Sequence, residues 1–233
     1  MAKVNELSVF FPAYNEEDNI KTTVTKALKV LPFVAKKWEV IVVNDGSTDK
    51  TAKVVNLITK KEKRVKMVTH SPNRGYGEAL KSGFKNSRYE LIVFNDGDGQ
   101  FDFSQVTKFL KLIKSADLVV GFRLNRQDPW HRKLFGWGWT MLANLLLGIK
   151  VKDVDCGFKL LKKEVIRTIP PLESVRGGMI SPELLAKAKK AHFKLAEVGV
   201  QHYPRQTGHQ TGADLKVIVN SFIDLGKLWW QLR

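Results

Sequence analysis

The sequence predicts an α/β fold: a mostly parallel sheet flanked by helices. Three observations carry that expectation. Short apolar runs of strand length alternate with helically spaced segments through residue 122. Turns rich in acids and glycine follow directly on several of those runs. The chain has 233 residues, 43% of them hydrophobic, enough to bury one large core, and contains no repeat, linker or low-complexity tract.

The elements follow in order. Leu7 to Phe11 is an apolar run that stops at Pro12 and reads as a buried first strand. Glu17 to Leu31 has helical spacing, with Ile20, Val24, Ala27, Leu28 and Leu31 on one side. Glu39 to Val43 is a second strand, after which Ser47 or Thr48 is expected to cap a helix through Ile58. Val65 to Val68 is a third strand and Gly77 to Asn86 a third helix. Leu91 to Phe94 is a fourth strand, Ser104 is expected to cap a helix ending near Lys114, and Leu118 to Phe122 is a fifth strand. Beyond about Gly121 the alternation breaks down. A basic stretch leads into an uncharged run from Leu134 to Ile149, then the segment Asp155-Cys156-Gly157-Phe158. A helix near Pro182 to Lys190, a strand near Leu195 to Val200, a polar loop from His202 to Ala213 and a final helix from Asp214 to about Leu232 complete the chain. We expect a single domain, with 123–233 elaborating the α/β unit of 1–122.

Charge and cysteine content narrow the partners. With 39 Lys and Arg against 23 Asp and Glu, the net charge is +16, which attracts polyanions: nucleic acid, anionic lipid or phosphorylated small molecules. The lone cysteine, Cys156, rules out an intramolecular disulfide, fits a reducing compartment and reads as a buried thiol. The apolar stretch near the N-terminus is short and ends in acids, unlike a signal peptide. No uncharged run reaches the roughly 20 residues needed to span a bilayer.

In an open α/β sheet, ligands gather at the carboxyl ends of the strands. Three turns there carry chemistry. Asn95-Asp96-Gly97-Asp98-Gly99-Gln100 follows the fourth strand. Two carboxylates two residues apart on an extended chain point the same way, and such hard oxygens suit Mg²⁺ or Mn²⁺ shared with substrate phosphates. An EF-hand calcium loop is excluded, because Phe101 and Thr107 stand where its glycine and closing glutamate belong. Asn44-Asp45-Gly46-Ser47-Thr48-Asp49 follows the second strand and offers a carboxylate to a base N–H or a ribose hydroxyl. Pro12-Ala13-Tyr14-Asn15-Glu16 ends the first strand and adds a ring and an acid. Each alone is also an ordinary solvated turn or cap; their joint placement on strands one, two and four is the specific signal. No dinucleotide fingerprint, Walker lysine or metal-spaced histidine set competes: Gly75-Tyr76-Gly77 has Leu80 where a third glycine belongs.

In the order PAYNE, NDGSTD, NDGDGQ, the chain resembles the family 2 glycosyltransferases, whose fold is the Rossmann-like GT-A fold. VVGFR, DCGFK and HYPRQTG resemble the branch of dolichyl-phosphate mannose synthase and bacterial polyprenyl-phosphate glycosyltransferases. The resemblance implies inverting transfer of a sugar from a nucleotide diphosphate sugar to a polyprenyl monophosphate at the cytoplasmic membrane face. It implies that Pro12, Tyr14, Glu16, Val43, Asp45, Asp96 and Gly97 hold the nucleotide sugar. Asp96, Asp98 and Gln100 would hold Mg²⁺ or Mn²⁺. Arg123 would face the phosphates between donor and acceptor, Arg132 the acceptor phosphate, and Arg205 the donor diphosphate. Asp98, Arg123 and Arg132 are thus the expected catalytic group. The family often carries a lysine after that last arginine; here the loop runs RQTGHQTG, and His209 stands in its place. On this reading residues 123–233 are the acceptor side of the domain.

The run from Leu134 to Ile149 admits two readings. It carries Trp137 and Trp139, with Arg132 and Lys133 at one end and Lys150 and Lys152 at the other, the dress of an interfacial helix. Its near-continuous apolarity equally suits a core helix. The resemblance favours an amphipathic helix at the membrane edge, which Trp229 and Trp230 would join. Two rival functions are a same-fold enzyme acting on a soluble sugar or protein, and a basic nucleic-acid-binding module. Carboxylates facing phosphates argue against nucleic acid as a partner.

Overall fold

The computed structural model describes residues 3–126, 128–175, 177–205 and 215–233. β1 (Val4–Ala13) pairs in parallel with β2 (Ala35–Asn44) on one side and β4 (Leu91–Asn95) on the other. β3 (Val65–Thr69) extends the sheet beyond β2, again in parallel. On the far side of β4 lies β6 (Phe158–Lys162), antiparallel to both β4 and β5 (Leu118–Leu124), and β7 (Leu195–Gln201) closes the edge parallel to β5. The order is β3-β2-β1-β4-β6-β5-β7, so the mostly parallel sheet takes strands from both halves of the chain.

Side chains alternate between two cores because the strand period is two. Val9, Phe11, Val40, Val42 and Val93 face α1 (Ile20–Val34), α2 (Thr51–Lys61) and α4 (Val106–Leu112). Phe10, Ile41, Val43, Ile92 and Phe94 face α3 (Tyr76–Asn86), α6 (Lys163–Thr168) and α7 (Gly177–Lys190). Strands buried on both faces read as continuous apolar runs, which is why β1, β2 and β4 were visible in the sequence.

The caps differ from expectation. α2 starts at Thr51, and neither Ser47 nor Thr48 caps it. Both are tied to the turn after β1 instead: Asn15 N donates to Ser47 Oγ at 3.0 Å, and Thr48 N donates to Asn15 Oδ1 at 2.9 Å. Ser104 is not a cap either. Asp102 accepts from Ser104 N at 2.9 Å and opens a 3₁₀ turn, Phe103–Gln105, that leads into α4.

β6 escaped the sequence reading because Lys159 and Lys162 interrupt its apolar run. Lys159 is nevertheless fully buried. Its ammonium donates to Cys156 O at 2.6 Å, Ser181 Oγ at 3.0 Å and Val154 O at 3.3 Å, so three acceptors compensate its burial. α7 begins five residues before the expected Pro182, which lies inside it.

α5 (Trp130–Leu147) and α8 (Leu215–Gln231) lie together outside this layer, with Trp139 edge-on to Phe222 at 5.5 Å. Only Thr140 and Ala143 of α5 are buried, which excludes the core-helix reading of the apolar run. Trp130, Leu134, Trp137, Met141 and Leu145 are exposed, and their spacing sets them on one face of the helix.

Candidate active site

The parallel register aligns the carboxyl ends of β1, β2 and β4 at one sheet edge: Ala13 stands opposite Asn44, and Phe10 opposite Phe94. The three turns therefore converge. Asp96 N donates to Gly157 O at 3.1 Å, and Tyr76 Oη, from the first residue of α3, donates to Asp96 Oδ1 at 2.6 Å. Gly157 is required there, since a Cβ would stand 1.8 Å from Asp96 Oδ2. Asp98 Oδ1 accepts from Gln100 N at 3.0 Å.

Burial, and then the charge of Asp98, hold the Asp96 carboxyl above the usual carboxylate range; burial raises Asp98 as well. Two crowded carboxylates that resist ionising together fit a divalent cation, which would relieve both. Among the described residues no three acidic, histidine or cysteine side chains are arranged to hold a metal ion by themselves, and a cation on this pair would share its shell with substrate oxygens. Gln100 is less free than expected. Its Nε2 donates to Tyr203 O at 3.1 Å, which leaves Oε1 for a metal.

Arg205 reaches this edge from the segment after β7. It donates to Glu16 Oε1 at 2.6 Å and stands 3.6 Å from Asp98 Oδ2. Glu16 is buried, and Asn19 Nδ2 donates to its Oε2 at 2.7 Å. Burial pushes its carboxyl up despite both partners. Tyr14, 42% exposed, stands at the surface of the same edge.

Asp45 is more committed than a free ligand. Its Oδ1 meets His70 Nδ1 at 2.6 Å and accepts from Arg74 N at 2.9 Å. Its Oδ2 accepts from Asn73 Nδ2 and Gly75 N, both at 2.9 Å. The four acceptor positions of a carboxylate are thereby occupied. His70 Nε2 is in turn 2.8 Å from Ser82 Oγ on α3. Asp45 thus shapes the turn that delivers Tyr76 to Asp96.

Three expected donor contacts, Val43, Pro12 and Gly97, are buried in this structure. Val43 is 0% exposed, with its side chain in the core between β2 and α3 and its main chain inside the ladder between β1 and β3, so it supports the site from behind and does not reach a ligand. Pro12 is likewise buried, and Gly97 offers backbone alone, its carbonyl accepting from Thr23 Oγ1 at 3.2 Å. His209 lies outside the described residues.

Arg123, at the end of β5, makes a two-pronged ion pair with Asp153: Nε to Oδ2 at 2.6 Å and Nη2 to Oδ1 at 2.8 Å. Arg132 lies half-buried in the first turn of α5. Tyr76, His70, Asn73 and Asp153 were not singled out in the sequence. Tyr76 and Asn73 sit in the NRGYG turn, which read only as a failed dinucleotide motif.

Comparison with known proteins bears on the family and the fold. The chain is 33% identical over 207 residues to a dolichyl-phosphate beta-glucosyltransferase of Trichomonas vaginalis, covering 82% of this chain and 61% of the relative. It is 33% identical over 213 residues to a dolichyl-phosphate beta-glucosyltransferase of Dictyostelium discoideum, covering 83% and 65%. The chain therefore spans under two thirds of the length of these relatives. Among solved structures, glucosyl-3-phosphoglycerate synthase of Mycobacterium tuberculosis in complex with Mn²⁺ and UDP-glucose superposes with a TM-score of 0.70. It is 18% identical, over 95% of this chain and 79% of that one, a likeness of fold. The model of "Glycosyl transferase family 2" matches residues 8–169, the stretch that holds Asp45, Asp96, Asp98, Arg123 and Arg132, and the chain belongs to that family.

Proposed function

We propose that this chain transfers a sugar, with inversion, from a nucleotide diphosphate sugar to a polyprenyl monophosphate at the cytoplasmic face of a membrane. The observation that carries the reading is the placement of the Asp96–Asp98 pair, Arg205 and Arg123 at one sheet edge, in a chain similar to dolichyl-phosphate glucosyltransferases. Tyr14 and Glu16 flank the nucleoside, with the turns that carry Pro12 and Gly97 beneath it, Val43 behind them in the sheet and Asp45 holding the adjoining turn. Arg205 contacts the donor diphosphate.

Asp96 and Asp98, with Gln100 Oε1, hold Mg²⁺ or Mn²⁺, which supplies Lewis-acid neutralisation of the departing diphosphate. Arg123, oriented by Asp153, keeps an Nη1 for the phosphates between donor and acceptor. Arg132 draws in the acceptor phosphate. That phosphate is anionic near neutral pH, so the arginines orient it and lower repulsion, and no strong general base is needed. The part before residue 123, joined by Arg205, binds the donor, and the rest of the part after it serves the acceptor.

Peripheral membrane contact falls to α5 and α8. Among the described residues no helix is long and apolar enough to cross a membrane. The exposed stripe from Trp130 to Leu145, with Phe222, Ile223 and Trp230 of α8, suits the acyl boundary. Lys133, Lys150 and Lys152 near it suit anionic headgroups. The test is a panel of nucleotide diphosphate sugars, each assayed with one polyprenyl phosphate and with soluble phosphorylated and unphosphorylated sugars. Metal-dependent product on the polyprenyl phosphate is expected; product only on a soluble acceptor would overturn the reading.

A further inference from the structure

His202, the residue after β7, is turned into the protein. It bridges Phe101, packs edge-on against its ring at 5.4 Å and is 6% exposed. Its Nδ1 is sealed from solvent and has no hydrogen-bond partner among the described residues. A buried ring nitrogen left unpaired is costly, and such atoms mark a missing ligand. The ladder pairs Gln201 with Leu124, which sets His202 beside the segment running on from β5, and the charges that act on it are those of Arg123, Asp128, Arg126 and Asp153. They form two arginine–aspartate pairs, and each arginine is only partly used. Arg123 binds Asp153 through Nε and Nη2, and Arg126 binds Asp128 through Nε at 2.9 Å.

The start of α5 belongs to the same cluster. Asp128 lies two residues before the helix, and Arg126 brings Nη1 against its second turn. Gly136 permits this, because a Cβ there would stand 2.6 Å from Arg126 Nη1. Arg132 precedes Gly136 by one turn on the same face. The N-terminus of α5 has no side-chain cap and no acid in its first turn, so its dipole and free N–H groups favour an anion. Arg123 lies opposite Val200 in the β5–β7 ladder, and its charge is felt by both Asp96 and Asp98 and by His202.

We infer that His202, Arg126 and the open N-terminus of α5 build a second anion site, which holds the phosphate monoester of the acceptor, with His202 Nδ1–H donating to a phosphate oxygen. The inference rests on the proposed transfer to a polyprenyl phosphate and names residues for the acceptor beyond Arg123 and Arg132. The imidazole serves as a neutral donor: burial, and then Arg123, hold its pKa down to about 4. A neutral donor adds direction to a site whose attraction comes from the guanidiniums and the helix end.

The experiment measures steady-state transfer from the preferred nucleotide sugar to farnesyl phosphate in detergent, for the wild type, His202→Phe, His202→Gln and Arg126→Met. His202→Phe keeps the ring packing on Phe101 and removes the donor. The acceptor KM is expected to rise at least about tenfold in His202→Phe and Arg126→Met, with the donor KM and the calorimetric affinity for the free nucleotide unchanged. His202→Gln, which retains an N–H, is expected to recover part of the loss. The melting temperature of His202→Phe is expected to hold or rise, because an unpaired polar atom becomes carbon. An unchanged acceptor KM in both variants, or donor and acceptor KM rising by one common factor, overturns the inference. If the wild type modifies no polyprenyl phosphate, the proposed acceptor class falls instead. The site is then judged by calorimetry with inorganic phosphate: weaker binding by His202→Phe upholds it, and equal or absent heat in both proteins overturns it.

Discussion

The phenol of Tyr76 donates a 2.6 Å hydrogen bond to Oδ1 of Asp96, joining the first turn of α3 to the carboxylate pair. Burial, and then the charge of Asp96, push the phenol well above its usual range, so it remains a donor. Tyr76→Phe is therefore expected to leave the fold intact and weaken Mn²⁺ binding roughly tenfold, the worth of a hydrogen bond to a charged group. Electron paramagnetic resonance of free Mn²⁺, titrated with protein and nucleotide, measures this. Gly157→Ala is expected to be harsher, because its methyl would occupy the space of the Asp96 carboxylate. Unaltered Mn²⁺ binding in Gly157→Ala would contradict the placement of Asp96.

The raised Asp96 and Asp98 also make a prediction about pH. A carboxyl whose folded pKa lies above its ordinary value favours the folded state while protonated. That contribution is full below about the unfolded pKa and fades as pH rises through the folded one. Without metal, the chain is expected to lose stability from the ordinary carboxylate range toward neutrality. Added Mn²⁺ should then raise the melting temperature more at pH 8 than at pH 5, since protons compete for its ligands. Asp96→Asn is expected to flatten both trends in thermal scans. Asp98→Ala should remove nearly all turnover and still melt cooperatively.

Asp45 is expected to act through the turn that it organises. Asp45→Ala leaves His70 buried beside a gap and frees the Asn73–Gly75 backbone, a loss of about 3 kcal/mol by the usual cost of breaking a buried charged network. Donor binding should weaken along with stability. His70→Gln, which can still donate to Asp45, is expected to lose less of both. Urea unfolding and nucleotide calorimetry on the two variants test this; weaker nucleotide binding in Asp45→Ala at unchanged stability would make Asp45 a direct ligand instead.

For the membrane face, Trp130, Trp137 and Leu145 are exposed, so changing all three to Ser should leave the melting temperature nearly unchanged. Sedimentation with anionic vesicles at low salt should fall sharply. Each basic residue near such a surface contributes about 1 kcal/mol, so salt should weaken the wild type as well. Wild-type protein that ignores vesicles at every salt concentration would refute peripheral attachment.

Much of the fold was legible because strands buried on both faces write continuous apolar runs, as in β1, β2 and β4, and helices over such a sheet write a 3.6-residue period, as in α1 and α3. The turns were legible for the same reason: alternation places PAYNE, NDGSTD and NDGDGQ at strand ends, where one sheet edge gathers them. The tertiary structure alone decided the rest. β6 hides because the buried ammonium of Lys159 is hydrogen-bonded by acceptors from Val154, Cys156 and Ser181, which no local pattern announces. The apolar run of α5 could be core or interface until packing left its tryptophan stripe outside. Tyr76 on Asp96, His70 on Asp45 and Arg123 on Asp153 join residues between 20 and 30 positions apart. Sequence fixes which side chains stand at a strand end, since that follows from period and local propensity. Which of them meet, and which are left with an unpaired atom as His202 is, depends on long-range packing.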